Sequence, residues 1–268
     1  MALAPSKHLG GLSMAANETH VDSLPKTGLL LIGMGLGRME GMTLEALEAA
    51  TLADHRRYEA YTALWPEAEL ARLEAKVGPI QRVMRPEVED PTELLELAAS
   101  SLVALLVVGD PLQATTHVDL QLRAAEAGVS CRVLHGVSIT TLVTGAVGLS
   151  NYKFGRQTTF TYPYGNWIAT SPLEVVASNW SQNLHSLVLL DLDPTGQGIG
   201  DQRPMAPADA VRSLGMMWHS MQTNEADGSA EDAPATAFQR SMQTDFLKQS
   251  MEAMQVVLCS DMGTPEHN

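Results

Sequence analysis

The run Leu102-Val103-Ala104-Leu105-Leu106-Val107-Val108 ends abruptly at Gly109-Asp110-Pro111. A strand with no polar alternation is buried on both faces, so the chain must lay helices above and below the sheet that holds it. Gly-Asp-Pro stops the strand, and Thr115 or Thr116 is expected to cap a helix that starts near His117. In open α/β sheets, small ligands sit where such a strand gives way to a helix N-terminus.

The flanking sequence repeats this alternation. Leu29–Ile32 reads as a strand, followed by Gly33, Gly35 and Gly37, and Thr43 caps a helix with apolar residues at helical spacing. His55–Ala60 reads as a second strand. Pro66–Val77 follows as a helix with Pro66 in its first turn and Gly78 past its end. Ile80–Met84 is a third strand, Pro91 opens the next helix, and Cys131–Leu134 is a fifth strand after a helix that ends at Gly128. Ser138 caps an apolar helix running toward Leu149. The pattern predicts an α/β fold with a mostly parallel sheet and right-handed crossovers.

The pattern changes near Asn151. Thr158–Tyr162 alternates like an exposed strand, Leu173–Trp180 and Pro207–Met221 read as helices, and Leu187–Leu192 reads as a strongly apolar strand. A last helix is expected over Ala237–Met254, leading into a strand over Gln255–Cys259. The expected organisation is a disordered extension over 1–26, an N-terminal α/β domain over 27–150 and a smaller, incomplete α/β domain over 151–268. Within the last, the acidic stretch Thr223–Thr236 reads as a disordered loop.

A net charge of −14 excludes a generally basic, phosphate-binding face as the main feature of this chain. Cys131 and Cys259 form no CxxC pair and no His/Cys cluster, so a metal site is not expected and both are read as buried free thiols. The first residues lack the pattern of a secretion signal, and no apolar run reaches bilayer length. A soluble, cytoplasmic protein is expected.

Gly33, Gly35 and Gly37 invite a dinucleotide-binding reading, but the spacing is GxGxG, and only Asp54 or Glu59 stands near the expected acidic position. A plain tight turn is favoured. For Asp110, holding a ligand and capping its own turn are equally compatible with Gly-Asp-Pro. His117 reads as a solvated helix residue. His135-Gly136-Val137-Ser138-Ile139 follows the fifth strand and is placed, as a neighbouring turn, on the same sheet edge as Asp110. Tyr162-Pro163-Tyr164-Gly165-Asn166-Trp167 reads as a packed aromatic turn. No nucleophilic triad order and no GxxxxGK[ST] loop occur.

Several segments carry a more specific resemblance. They are Leu31–Gly37, Glu59-Ala60-Tyr61-Thr62, Gly109–His117, His135–Ile139, Tyr152-Lys153-Phe154-Gly155, Tyr162–Trp167 and Leu184–Asp191. In this order they resemble the diphthine synthase family, of archaeal type, within the tetrapyrrole-methylase-like (class III) S-adenosylmethionine-dependent methyltransferases. The Glu-Ala-Tyr-Thr and Gly-Asp-Pro-x-x-Ala-Thr-Thr-His runs separate that family from its tetrapyrrole-methylating relatives. The resemblance implies two α/β domains of the tetrapyrrole methylase type with S-adenosyl-L-methionine in the cleft between them. It implies repeated methylation of the amino group of 3-amino-3-carboxypropyl-histidine on translation elongation factor 2, in diphthamide biosynthesis, by a homodimer. Carried over by position, donor contacts fall at Leu36, Asp110, Gln113, Ser138, Ile139 and Leu190, with Asp261 as a further contact.

No catalytic base is assigned. The family continues after the strand expected to end at Cys259 and ends in a Pro-Pro-His segment, so the chain is read as C-terminally incomplete; His267 lies too soon after Cys259 to match. The alternatives are a tetrapyrrole methyltransferase and a donor-binding protein without turnover.

Overall fold

Leu102–Val107 forms a strand in which every residue is buried, as does Gly28–Gly33. The computed structural model describes residues 24–199, 202–226 and 245–263. In its first half, β1 (Gly28–Gly33), β2 (His55–Glu59), β3 (Ile80–Val83), β4 (Leu102–Val107) and β5 (Cys131–Leu134) form one sheet of order β3-β2-β4-β1-β5, with every pairing parallel. Helices α1 (Leu44–Leu52), α2 (Glu67–Val77), α3 (Arg85–Glu89), α4 (Thr92–Ser100), α5 (His117–Glu126) and α6 (Ile139–Ala146) connect and follow the strands. The short α3 had no counterpart in the sequence reading.

Side chains of successive strand residues alternate between faces, and the two faces gather different helices. Leu30, Ile32, Ala104 and Leu106 pack with Ala46 and Ala49 of α1 and Leu73 of α2. Leu29, Leu31, Val103 and Leu105 pack with Leu95 of α4 and Leu120 of α5. The chain therefore leaves β1 along one face and β4 along the other. Adjacent strands whose connections depart to opposite faces open a crevice beyond their carboxyl ends.

The helix ends follow local chemistry. The Thr43 hydroxyl accepts the Ala46 amide at 3.1 Å, as expected of a cap. At the other end of α1, the buried Arg56 guanidinium donates to the carbonyls of Ala50, Thr51 and Ala53, satisfying acceptors that the helix leaves open. Gly78 and Gly128 end α2 and α5 with positive φ. The start of α5 differs from expectation. Thr116 occupies the cap position without a side-chain hydrogen bond, and the Thr115 hydroxyl donates instead to the Pro111 carbonyl.

The second half has its own core. Strands β6 (Thr158–Phe160) and β7 (Val188–Leu190) pair in parallel, and α7 (Ser171–Ser181) and α8 (Pro207–Ala226) cover them. Phe160, Leu173, Met217, Trp218 and Phe246 are buried together. Thr158–Tyr162 is thus not an exposed strand: Phe160 and Tyr162 turn inward.

Three further expectations are corrected. Residues 223–226 continue α8 rather than opening a loop, while 227–236 lie outside the described residues. The helix expected over Ala237–Met254 is interrupted before a 3-10 turn at Met251–Ala253; its part over 237–244 lies outside the described residues. Gln255–Cys259 is not a strand. Val256 and Val257 are 72% and 69% exposed, and no strand edge among the described residues pairs with them. Apolar β-formers adopt a strand when a neighbour supplies the ladder, and none does here. Both cysteines are free and only partly buried.

The extension over 1–26 lies outside the described residues up to 23, and Leu24 already packs against the first core. No helix among the described residues is long and apolar enough to cross a membrane.

Candidate functional site

β1, β4 and β5 all end in glycine-containing turns. A Cβ on Gly33 would stand 2.4 Å from the Gly136 nitrogen and 2.8 Å from the Gly109 oxygen, and one on Gly136 would stand 2.2 Å from the same oxygen. Only backbones without side chains can meet this closely. Gly35 and Gly109 exchange two backbone hydrogen bonds, at 3.2 and 2.9 Å, and the Trp65 indole donates to the Gly35 carbonyl at 3.2 Å. The glycine-rich turn after β1 therefore spends its Gly35 peptide groups on its neighbours. Asp54 accepts the Leu102 amide and Glu59 is engaged elsewhere, so neither stands open to a ribose, against the dinucleotide reading.

The Asp110 and Ser138 turns are not on neighbouring strands, as the sequence had placed them, because β1 lies between β4 and β5. They meet nonetheless, across the compact glycine end of β1. Asp110 is 6% exposed. Its Oδ1 accepts the Leu112 amide at 2.8 Å; its Oδ2 takes His135 Nδ1 at 2.8 Å and the Gly136 amide at 3.2 Å. A carboxylate offers about four lone-pair sites, so these three bonds leave one unused. The capping reading of Asp110 holds: it ties its own turn, and it also joins that turn to the one after β5.

Gln113 lies on the same rim. Its amide nitrogen donates to the Asp110 carbonyl at 3.2 Å, and its side-chain Oε1 accepts the Thr140 hydroxyl at 3.4 Å. Ser138 caps α6 through the Thr140 amide, at 3.3 Å, and its hydroxyl meets that of Thr140 at 3.0 Å. Ile139 follows as the first residue of α6. Asp110, Gln113, Ser138 and Ile139 thereby form one contiguous rim.

Leu36 lies against the turn that contains Asp261. Asp261 has a φ of 52°, and its turn brings Gly263 so near that a Cβ there would lie 2.3 Å from the Leu36 Cβ. Leu190 stands apart from these hydrogen bonds, half-buried in β7 opposite Phe160. The aromatic turn is only partly packed: Tyr162 is buried, whereas Trp167 is 62% exposed beside Tyr164.

The pairing the sequence missed lies behind the rim. His117 is not solvated: it and Glu59 are each 1% exposed, with His117 Nε2 at 2.7 Å from Glu59 Oε2. Thr62 donates to the other Glu59 oxygen, and His117 Nδ1 donates to the Pro111 carbonyl at 3.0 Å. Burial by itself would depress the imidazole pKa. The hydrogen bond and charge of Glu59, with the Pro111 carbonyl, outweigh it and hold the ring above its ordinary value.

The two halves also touch. The Arg85 amide donates to the Gly198 carbonyl at 3.2 Å, and its guanidinium lies 5.1 Å over the Tyr61 ring. In the second half, the buried Asn179 binds both the amide and the carbonyl of Arg156 and crowds Gly155, which accounts for the glycine after Phe154.

The chain as a whole falls in a known class. The family model of the tetrapyrrole (corrin/porphyrin) methylases matches residues 28–216, and the chain belongs to that family. Within it, the chain is 39% identical over 166 residues to the diphthine synthase of Methanoregula boonei, covering 61% of this chain and 66% of that protein. The diphthine synthase of Methanocorpusculum labreanum matches to the same extent, at 39% over 166 residues, 61% and 66%. A crystal structure of diphthine synthase superposes with a TM-score of 0.62 at 34% identity, over 72% of each chain. The chain spans just under two thirds of the length of these curated relatives, at 66%.

Proposed function

We propose that this chain is an S-adenosylmethionine-dependent methyltransferase of the diphthine synthase type. Its acceptor would be the amino group of 3-amino-3-carboxypropyl-histidine on translation elongation factor 2, methylated repeatedly. The observation that carries the reading is the rim at the ends of β4 and β5. There the three hydrogen bonds of Asp110 leave one acceptor position unused, and Gln113 makes no side-chain hydrogen bond through Nε2 among the described residues, beside the N-terminus of α6. Such a set of acceptors and donors suits a ligand that carries ribose hydroxyls and an amino-acid end.

When bound, S-adenosylmethionine supplies an electrophilic methyl group on a sulfonium. Asp110, Gln113, Ser138 and Ile139 would hold it on the rim, with Leu36, Leu190 and Asp261 as further contacts from around the cleft. The chain's own contribution is to fix the donor's orientation and exclude water, which is where much of the acceleration of an in-line displacement arises. The proton lost by the acceptor amine is assigned to no side chain. We further propose a division into two domains near residues 151–157, a homodimer and a cytoplasmic location.

The experiment is transfer of labelled methyl from S-adenosylmethionine to elongation factor 2 bearing the modified histidine. Label on the factor supports the reading. Label on a porphyrinoid instead, or donor binding with no transfer to the factor, contradicts the assigned acceptor.

A further inference from the structure

The Asp110–Thr115 turn carries backbone strain: Ala114 sits at a φ of 59°, in the left-handed region that residues with a Cβ rarely occupy. Such strain persists only where the surroundings over-determine it. On the β5 side, His135 and Gly136 hold Asp110. On the opposite side, the Pro111 carbonyl accepts both the Thr115 hydroxyl and His117 Nδ1. His117 is anchored in turn by Glu59, at the end of β2, and Glu59 is anchored by Thr62.

A buried ion pair is weak evidence of stabilisation, because removing two charges from water cancels much of their attraction. What an apolar pair would lack is the charge that holds the ring beside Glu59. With Nε2 held 2.7 Å from that carboxylate, the ring presents Nδ1–H to the Pro111 carbonyl at 3.0 Å.

We propose that Glu59 and His117 are positioning residues for the proposed methyl donor. They form a clamp that holds the strained turn in the shape that presents Asp110 and Gln113. The inference rests on the donor reading above, and it adds residues that touch no ligand. His117 acts through Pro111, and Glu59 acts through His117.

Two substitutions separate the two ring nitrogens. Asparagine places its amide nitrogen near the position of Nδ1, so His117→Asn keeps the bond to Pro111 and loses Glu59. His117→Gln reaches Glu59 and loses Pro111. To relieve the strain itself, Ala114→Gly is combined with His117→Gln.

Each full-length variant is measured by calorimetry with S-adenosylhomocysteine, by thermal melting, and by amide hydrogen exchange at Leu112 and Gln113 without ligand. His117→Gln should bind about tenfold more weakly and exchange about tenfold faster, as expected for one lost buried hydrogen bond. His117→Asn, which keeps the Pro111 bond and loses the Glu59 anchor, should fall between that variant and the parent, about threefold weaker in binding and about threefold faster in exchange than the parent. Adding Ala114→Gly should recover most of the affinity lost in His117→Gln without restoring its melting temperature to that of the parent.

Affinity that merely follows the melting temperature across the series overturns the positioning role. Unchanged exchange in His117→Gln overturns the clamp itself. A parent chain that fails to bind S-adenosylhomocysteine overturns the donor reading, and the ligand assigned to the clamp falls with it.

Discussion

Asp110 and His135 meet at 2.8 Å across the end of a strand to which neither belongs. β1 separates their parent strands, and the absence of side chains at Gly33 and Gly136 lets the two turns close over it. The carboxylate is therefore both a structural tie and the polar centre of the rim.

Asp110→Ala should be destabilising as well as weaker in donor binding. It strands the part-buried amides of Leu112 and Gly136; a fully buried donor left uncompensated costs about 1–3 kcal/mol, and these two fall at the lower end. His135 is 69% exposed and can turn to water, so its loss adds little. Urea unfolding should show a fall of about 2 kcal/mol, and a variant as stable as the parent would remove the tie from the account.

The glycines give a sharper contrast. Gly136→Ala drives a Cβ to 2.2 Å from a backbone oxygen and should cost at least about 2–3 kcal/mol, because neither backbone can yield without opening the rim. Gly41→Ala meets nothing within 4 Å and should stay within about 0.5 kcal/mol of the parent. Equal effects in the two variants would mean that the three turns are not in contact.

A pH dependence follows from His117. Its pKa is raised in the folded state, so the native protein binds more protons than the unfolded chain above the ordinary value of about 6.5. The stabilisation is complete below that value and is lost as pH rises through the raised one. Denaturation midpoints of the parent should fall across this window. The fall should be absent in His117→Asn, and a parallel fall in that variant would assign it to another group.

In the second half, Phe246 is 2% exposed and packs against Trp218 at 4.9 Å and Trp180 at 5.7 Å between ring centroids. Phe246→Ala should cost about 3–5 kcal/mol, as for other buried aromatic truncations. Near-native stability would show that residues 245–247 are not part of that core.

The elements whose chemistry is local were legible in the sequence. Thr43 and Ser138 cap as their positions suggest, and the unbroken apolar run of β4 implies the two-sided sheet. Strand order was not legible, since insertion of β1 between β4 and β5 depends on crossovers that no local signal encodes. His117 was misread although a signal existed: it shares the buried stripe of α5 with Leu120 and Ala124, at i+3 and i+7. A histidine on such a stripe needs a buried partner, and Glu59 is distant in sequence. Gln255–Cys259 failed for the opposite reason, because apolar β-formers cannot make a strand without an edge to join.

The most direct measurement is calorimetric titration of S-adenosylhomocysteine into the parent chain and into Asp110→Asn, with folding of both confirmed by circular dichroism. Saturable binding by the parent, weakened about tenfold or more when the charged acceptor is neutralised, is the predicted result. No binding at millimolar ligand, or equal affinity in the two proteins, would contradict a donor site on the β4–β5 rim.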